Sequence, residues 1–218
     1  MELLLGIDDA GRGPVIGPMA LAGVIINKNQ EQELKELGVK DSKLLLPVKR
    51  KKISDIIKQK YKHKIVTASP KEIDEHENLN WLEAEKTAEI INSLTKDIKE
   101  KIKIVVDCPS INPKAWQDYL VKKIKNTNNI ELSCEHKADL HHPTVSAASI
   151  IAKEKREDEL KQLKQTLNTD FGSGYPADPK TKKFIEKNFN NKKYQHIIRH
   201  SWNTVKKLHK NQAQKSLF

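Results

Sequence analysis

Two apolar runs in this chain end in acids. Leu3 to Ile7 is followed at once by Asp8 and Asp9, and Ile104, Val105 and Val106 run into Asp107. Burying an apolar strand that terminates in ionised carboxylates is costly unless those groups are solvated, paired or bound to a cation. In a layered α/β sheet several strand ends converge on one edge, the usual place for a ligand. Carboxylates gathered there repel one another and need cations. An all-oxygen ligand set points to Mg²⁺ or Mn²⁺ rather than zinc. Two such ions can activate a water and stabilise the leaving oxygen of a phosphodiester. Neighbouring strand residues face opposite ways, so Asp8 and Asp9 share a site only if the strand ends or bulges at Asp9. The Gly11-Arg12-Gly13-Pro14 that follows allows this; the alternative is that Asp9 is a turn residue.

The elements that must position these acids follow from pattern. Strands are expected at Leu3–Ile7, Met19–Ile26, Lys64–Ala68, Lys103–Asp107 and Ile130–Cys134, each apolar or β-branched. Helices are expected from Pro47 to about Lys60, over Trp81–Lys99 and Lys114–Lys125, near Pro179–Asn188 and near Ser201–Lys210. Thr144–Leu167 reads as a long helix with a small, apolar first half (Ala147, Ala148, Ile150, Ile151, Ala152) and a charged second half. That switch predicts a helix starting inside the molecule and running out into water. Strands alternating with helices predict an α/β layered domain with a small helical C-terminal part. The boundary is expected between residues 178 and 179, and the tail is expected to be flexible.

The 218 residues carry a net charge of +11 and are 32% charged, against 37% hydrophobic. Such a surplus favours a polyanionic partner, although a solvated lysine-rich surface has the same composition. No stretch is long or apolar enough to span a membrane. The start, Met-Glu-Leu-Leu-Leu, lacks the basic region and cleavage site of a signal peptide, so a cytoplasmic location is expected. Cys108 and Cys134 lack the spacing of a zinc or redox site. Both close expected strands, which leaves open two buried thiols or, were the strands neighbours, a disulfide.

Several words in the chain narrow the reading. Gly6-Ile7-Asp8-Asp9-Ala10-Gly11-Arg12-Gly13-Pro14-Val15-Ile16-Gly17-Pro18 resembles the signature of type 2 ribonucleases H (ribonuclease HII), as does Lys40-Asp41-Ser42-Lys43. Val106-Asp107 is similar to the segment of the third acid. Glu135-His136-Lys137-Ala138-Asp139, with Val145 to Lys153 after it, is similar to that of the fourth, and Gly172-Ser173-Gly174-Tyr175-Pro176 to a further block. The blocks keep the family's order over most of residues 4–180, and the compact form looks archaeal-like.

The resemblance implies a ribonuclease H-like fold, a mixed central sheet flanked by helices. It implies a metal-binding, catalytic tetrad of Asp8, Asp9, Asp107 and Asp139 with two divalent ions, Mg²⁺ or Mn²⁺. The implied reaction is hydrolysis of the RNA strand of RNA–DNA hybrids, and incision 5′ of ribonucleotides embedded in duplex DNA, leaving 3′-hydroxyl and 5′-phosphate. One departure stands out: the family usually has Glu where this chain has Asp9, one methylene shorter. Gly11-Arg12-Gly13 can be a tight turn; the resemblance makes it the segment that approaches the 2′-hydroxyl, the group that separates RNA from DNA. It also places Tyr175 against the sugar beside the cut and Lys43 on a phosphate.

Other polar residues have plainer readings. Asp41, Asp170 and Asp178 read as turn or cap residues, and His141-His142 as loop or substrate-side residues, since hard cations prefer oxygen. Ser146 and Ser149 read as small residues for close helix packing. The basic C-terminal stretch (Lys180, Lys182, Lys183, Lys192, Lys193, Arg199, Lys206, Lys207, Lys210) is a solvated surface or a backbone-tracking one. Gln214-Lys215-Ser216-Leu217-Phe218 partly resembles the peptide by which replication proteins bind a sliding clamp, with Gln214, Leu217 and Phe218 as anchors; a frayed tail is the alternative. A monomer is expected. Rival readings are a DNA-cutting nuclease of the same fold and a non-catalytic hybrid-binding protein.

Overall fold

The computed structural model describes residues 2–39 and 45–215. Lys43, Leu217 and Phe218, with Lys40, Asp41, Ser42 and Ser216, lie outside the described residues. Five strands, β1 (Leu3–Ala10), β2 (Met19–Asn27), β3 (Lys62–Ala68), β4 (Ile102–Asp107) and β5 (Ile130–Glu135), form one sheet in the order β3-β2-β1-β4-β5. β1 runs antiparallel to β2 and parallel to β4, and β4 runs parallel to β5. The sheet is therefore mixed, as expected. The helices are α1 (Glu31–Glu36), α2 (Pro47–Lys60), α3 (Pro70–Glu75), α4 (Leu79–Thr95), α5 (Pro113–Val121), α6 (Pro143–Leu167), α7 (Pro179–Asn188) and α8 (Asn203–Lys215). Among the described residues no helix is long and apolar enough to cross a membrane.

The chain packs as two compact units. One holds residues Met1–Ala10, Ala20–Thr67 and Asn78–Lys155; the other holds Gly11–Met19, Ala68–Glu77 and Arg156–Phe218. The boundary expected at residues 178/179 falls inside the second unit. α6 contributes its residues up to Lys155 to the first unit and those from Arg156 to the second.

The first unit is the sheet with its helices. Side chains alternate across the strands. Ala22, Val24 and Ile26 of β2 pack with Ile53 and Ile57 of α2 and with Ala147, Ala148, Ile150, Ile151 and Ala152 of α6. Gly23, between them in sequence, faces Ile90 and Leu94 of α4. Gly6 of β1 faces α6: a Cβ there would stand 2.2 Å from the Thr144 carbonyl carbon and 2.3 Å from the Val145 backbone nitrogen. Only glycine lets the start of α6 approach the central strand so closely.

The second unit has its own core, in which Val15 and Ile16 pack with Leu160, Leu167, Phe171, Phe184, Ile185 and their neighbours. The second half of α6 is therefore amphipathic rather than wholly solvated, a correction to the expected helix running out into water. Leu160 and Leu167 are buried in this core, and Arg156 is buried despite its charge.

Candidate active site

β1 carries the first two acids. The strand end or bulge expected at Asp9 does not occur in the ladder with β2: β1 pairs with β2 residue for residue, Asp8 with Ala22, Asp9 with Leu21 and Ala10 with Ala20. Strand alternation then puts Asp8 on the α6 face with Gly6 and Ala10, and Asp9 on the other. On the side of β4 the ladder runs only to Ile7 opposite Val106, so the acids follow where these strands cease to pair. Asp8 is 5% exposed. Its carboxylate accepts from the Asp9 N–H at 2.7 Å and from the Ser149 hydroxyl. Burial, first, and then the charges of Asp9 and Asp107 push its pKa well above the ordinary carboxylate value. Asp8 thus feels both acids although Asp9 starts on the opposite face.

Asp107 closes β4, opposite Glu135 of β5. Its Oδ1 accepts from the Ala138 N–H at 2.9 Å. Ala138 opens a short 3₁₀ turn, Ala138–Leu140, that holds the buried Asp139. The third acid therefore anchors the turn that carries the fourth. Lys137, just before it, takes a left-handed conformation with φ 57°, uncommon for a residue with a side chain. The turn is tied again from α6, where the Ser146 hydroxyl donates to the Asp139 carbonyl.

Ser146 and Ser149 do more than permit close packing. Three residues apart, they share one helix face and each bonds to an acid-bearing segment. Their sequence signal was the run of small residues; which polar atoms they would meet depended on the approach at Gly6. His142 Nε2 pairs with Glu135 at 2.9 Å. Both cysteines are free thiols, and Cys134 is pushed up to about 12, chiefly by burial.

In donor type the acids fit a hard divalent cation: all are carboxylates, and at Asp8 their mutual repulsion is already felt. Among the described residues no three His, Cys, Asp or Glu side chains are gathered as tightly as a bound ion would hold them.

The remaining candidates lie in the second unit. Gly11 has φ +88°, and a Cβ on it would stand 2.3 Å from Cδ of Arg156. The segment after it is bonded to the Tyr175 loop, with the Val15 N–H donating to the Gly174 carbonyl at 2.8 Å. Tyr175, 44% exposed, lies beside Gly13, and the Arg156 guanidinium stands 5.2 Å from its ring centroid. A cleft of about 230 Å³ next to Tyr175 is lined by Arg156, Lys161 and Lys164 among others. Arg12 is half-buried and Gly13 exposed. Asp178 caps α7 by accepting from the Lys180 N–H, and Asp170 accepts from the Gly172 N–H; both are the turn and cap residues expected. Gln214 is exposed on α8. Arg199 is no part of a solvated basic surface: it is fully buried and its guanidinium is bonded to backbone carbonyls.

Comparison with known proteins gives the family. The family model of ribonuclease HII matches residues 5–205. The ribonuclease HII of Methanococcus maripaludis strain C6 is 40% identical over 221 residues, covering 100% of this chain and 91% of that protein. The crystal structure of ribonuclease H2 from Pyrococcus horikoshii OT3 superposes with a TM-score of 0.85 at 39% identity, covering 96% of this chain and 98% of the other. A chain in the structure of the PCNA:RNase HII complex from Archaeoglobus fulgidus gives a TM-score of 0.80 at 35% identity, covering 92% and 95%. This chain belongs to the ribonuclease HII family, metal-dependent endoribonucleases that hydrolyse phosphodiesters.

Proposed function

We propose that this protein hydrolyses the RNA strand of RNA–DNA hybrids and cuts 5′ of single ribonucleotides in duplex DNA, leaving 3′-hydroxyl and 5′-phosphate. The observation that carries the reading is the buried Asp8 in electrostatic contact with Asp9 and Asp107, with Asp107 bonded to the turn of Asp139. Asp8, Asp9, Asp107 and Asp139 would hold two divalent ions, Mg²⁺ or Mn²⁺. When bound, these ions supply charge to the scissile phosphate, activate the attacking water and stabilise the departing 3′-oxygen.

The chain's own groups prepare this chemistry. Ser149 and the Asp9 N–H fix the carboxylate of Asp8, and the Ala138 N–H fixes that of Asp107. These bonds orient two of the four acids, as groups behind metal ligands do. Gly11, Arg12 and Gly13 read the 2′-hydroxyl through backbone groups, Tyr175 packs against the adjoining sugar, and Lys43 contacts a phosphate. The complex structure of the Archaeoglobus fulgidus relative with PCNA supports a sliding clamp as partner here, through Gln214, Leu217 and Phe218.

A DNA duplex carrying one ribonucleotide, incubated with Mg²⁺ or Mn²⁺, tests the reading. One incision on the 5′ side of the ribonucleotide is expected. Loss of groups that merely orient metal ligands costs 10–100-fold, so Asp107→Asn should lower the rate by ~100-fold or more. No incision with either metal would sink the activity, and cleavage surviving Asp107→Asn would sink the site.

A further inference from the structure

Three successive carbonyls of the Gly11–Arg12–Gly13 segment are occupied by donors from a remote part of the chain. Arg199 Nη2 donates to the Gly11 oxygen at 2.7 Å and Nη1 to the Arg12 oxygen at 2.9 Å. The Trp202 indole Nε1 donates to the Gly13 oxygen at 3.0 Å. Arg199 Nε adds a bond to the Gly17 oxygen at 2.9 Å. The guanidinium is fully buried and lies 4.8 Å from the Trp202 ring.

Arg199 reaches the segment because its own backbone is laid alongside. The Gly17 N–H donates to the Ile197 carbonyl at 2.8 Å, and the Arg199 N–H to the Val15 carbonyl at 2.9 Å. Ile16 and Ile198 form an antiparallel bridge between them. This two-stranded ribbon fixes where the arginine starts, and its planar fork fixes where its donors end.

The geometry of the peptide bond gives the arrangement its consequence. In a planar trans peptide the carbonyl of one residue and the N–H of the next point in opposite directions. No peptide bond here is cis. Holding the Gly11 and Arg12 carbonyls toward Arg199 therefore turns the N–H groups of Arg12 and Gly13 away from it, both to the same side. At the third carbonyl the following residue is Pro14, which has no N–H to turn. Two adjacent amides aimed together make a small concave donor site suited to a hydroxyl oxygen.

We infer that Arg199 and Trp202 are positioning residues for ribonucleotide selectivity: they clamp the carbonyl edge of residues 11–13, so that its amide edge stands ready for a sugar 2′-hydroxyl. This rests on the proposed role of the segment and adds the device that sets it. Neither side chain needs to touch the nucleic acid.

Binding selectivity tests the inference apart from cutting. Affinity is measured in EDTA for a DNA duplex with one ribonucleotide and for the same duplex with the deoxynucleotide. The wild-type chain should prefer the ribonucleotide duplex. Trp202→Phe keeps a ring over Arg199 and removes one donor; its preference should fall about fivefold, the scale of one net hydrogen bond, with unchanged affinity for the all-DNA duplex. Arg199→Lys has a single ammonium in place of a fork spanning three carbonyls, and should lose more. A merely structural role would lower both affinities together or shift only the melting temperature. Folded Trp202→Phe with full preference would overturn the inference, even if Arg199→Lys fails to fold. A wild-type chain without preference would overturn the role of the segment itself and this inference with it.

Discussion

Asp8 and Arg199 are both ionisable residues in buried positions, and opposite tasks put them there. Asp8 is buried beside the charges of Asp9 and Asp107, a repulsion that a bound cation would offset. Asp8→Asn keeps an oxygen for the Asp9 N–H and removes one charge. Without metal it should therefore be more stable by roughly 1 kcal/mol, or about 2–4 °C in melting temperature for a chain of this size, while losing cleavage. The gain should shrink as pH falls. The raised pKa of folded Asp8 means that it takes up a proton before the unfolded chain does, which abolishes the repulsion in the wild type too. A lower melting temperature for Asp8→Asn at pH 7 would contradict this. The acids were legible in the sequence because an apolar run ending in Asp is unusual. Arg199 was not: among so many basic residues nothing distinguishes the one that folds inward, and its partners are backbone atoms, which carry no residue signature.

At the scale of elements, pattern located all five strands and the longer helices. The short ones, α1 and α3, escaped because six residues show too little periodicity. For α3 the ends were nonetheless written in the chain: Ser69 accepts from the Glu72 N–H, Glu72 bonds back to the Ser69 N–H, and Pro70 follows the cap. The strand end or bulge at Asp9, read from the Gly-Arg-Gly-Pro after it, gave way to a regular β1–β2 register through Ala10. The junction of β1 with α6 is an exacting contact of the first unit. Gly6→Ala would drive a methyl group into backbone atoms of Thr144 and Val145, which cannot swing aside. A loss of about 3 kcal/mol is expected, or about 6–12 °C in melting temperature, together with weakened activity, since α6 brings Ser146 and Ser149 to the acids. A change under about 2 °C by calorimetry would show that the approach is looser than described.

For the whole molecule, the net charge of +11 predicts salt-sensitive binding. Affinity for an RNA–DNA hybrid should fall on a log–log plot against salt with a slope steeper than about −3, the signature of several neutralised phosphates. A flat plot would return the lysines to the role of a solvated surface. Composition could supply this much, but not the division into two interleaved units, because contacts between distant segments leave no local trace. That interleaving has a consequence for how the protein comes into being. Asp8, Asp9, Asp107, Asp139 and Ser149 have all been made by residue 149, whereas Arg199 lies 188 residues beyond the Gly11 carbonyl that it holds. At cellular synthesis rates the 50 residues from Ser149 to Arg199 take roughly 3–10 s. During translation the four proposed metal-binding acids are therefore complete before the donors to the Gly11, Arg12 and Gly13 carbonyls exist. A chain stopped short of Arg199 carries all four acids proposed for catalysis and lacks the guanidinium that holds the Gly11 and Arg12 carbonyls.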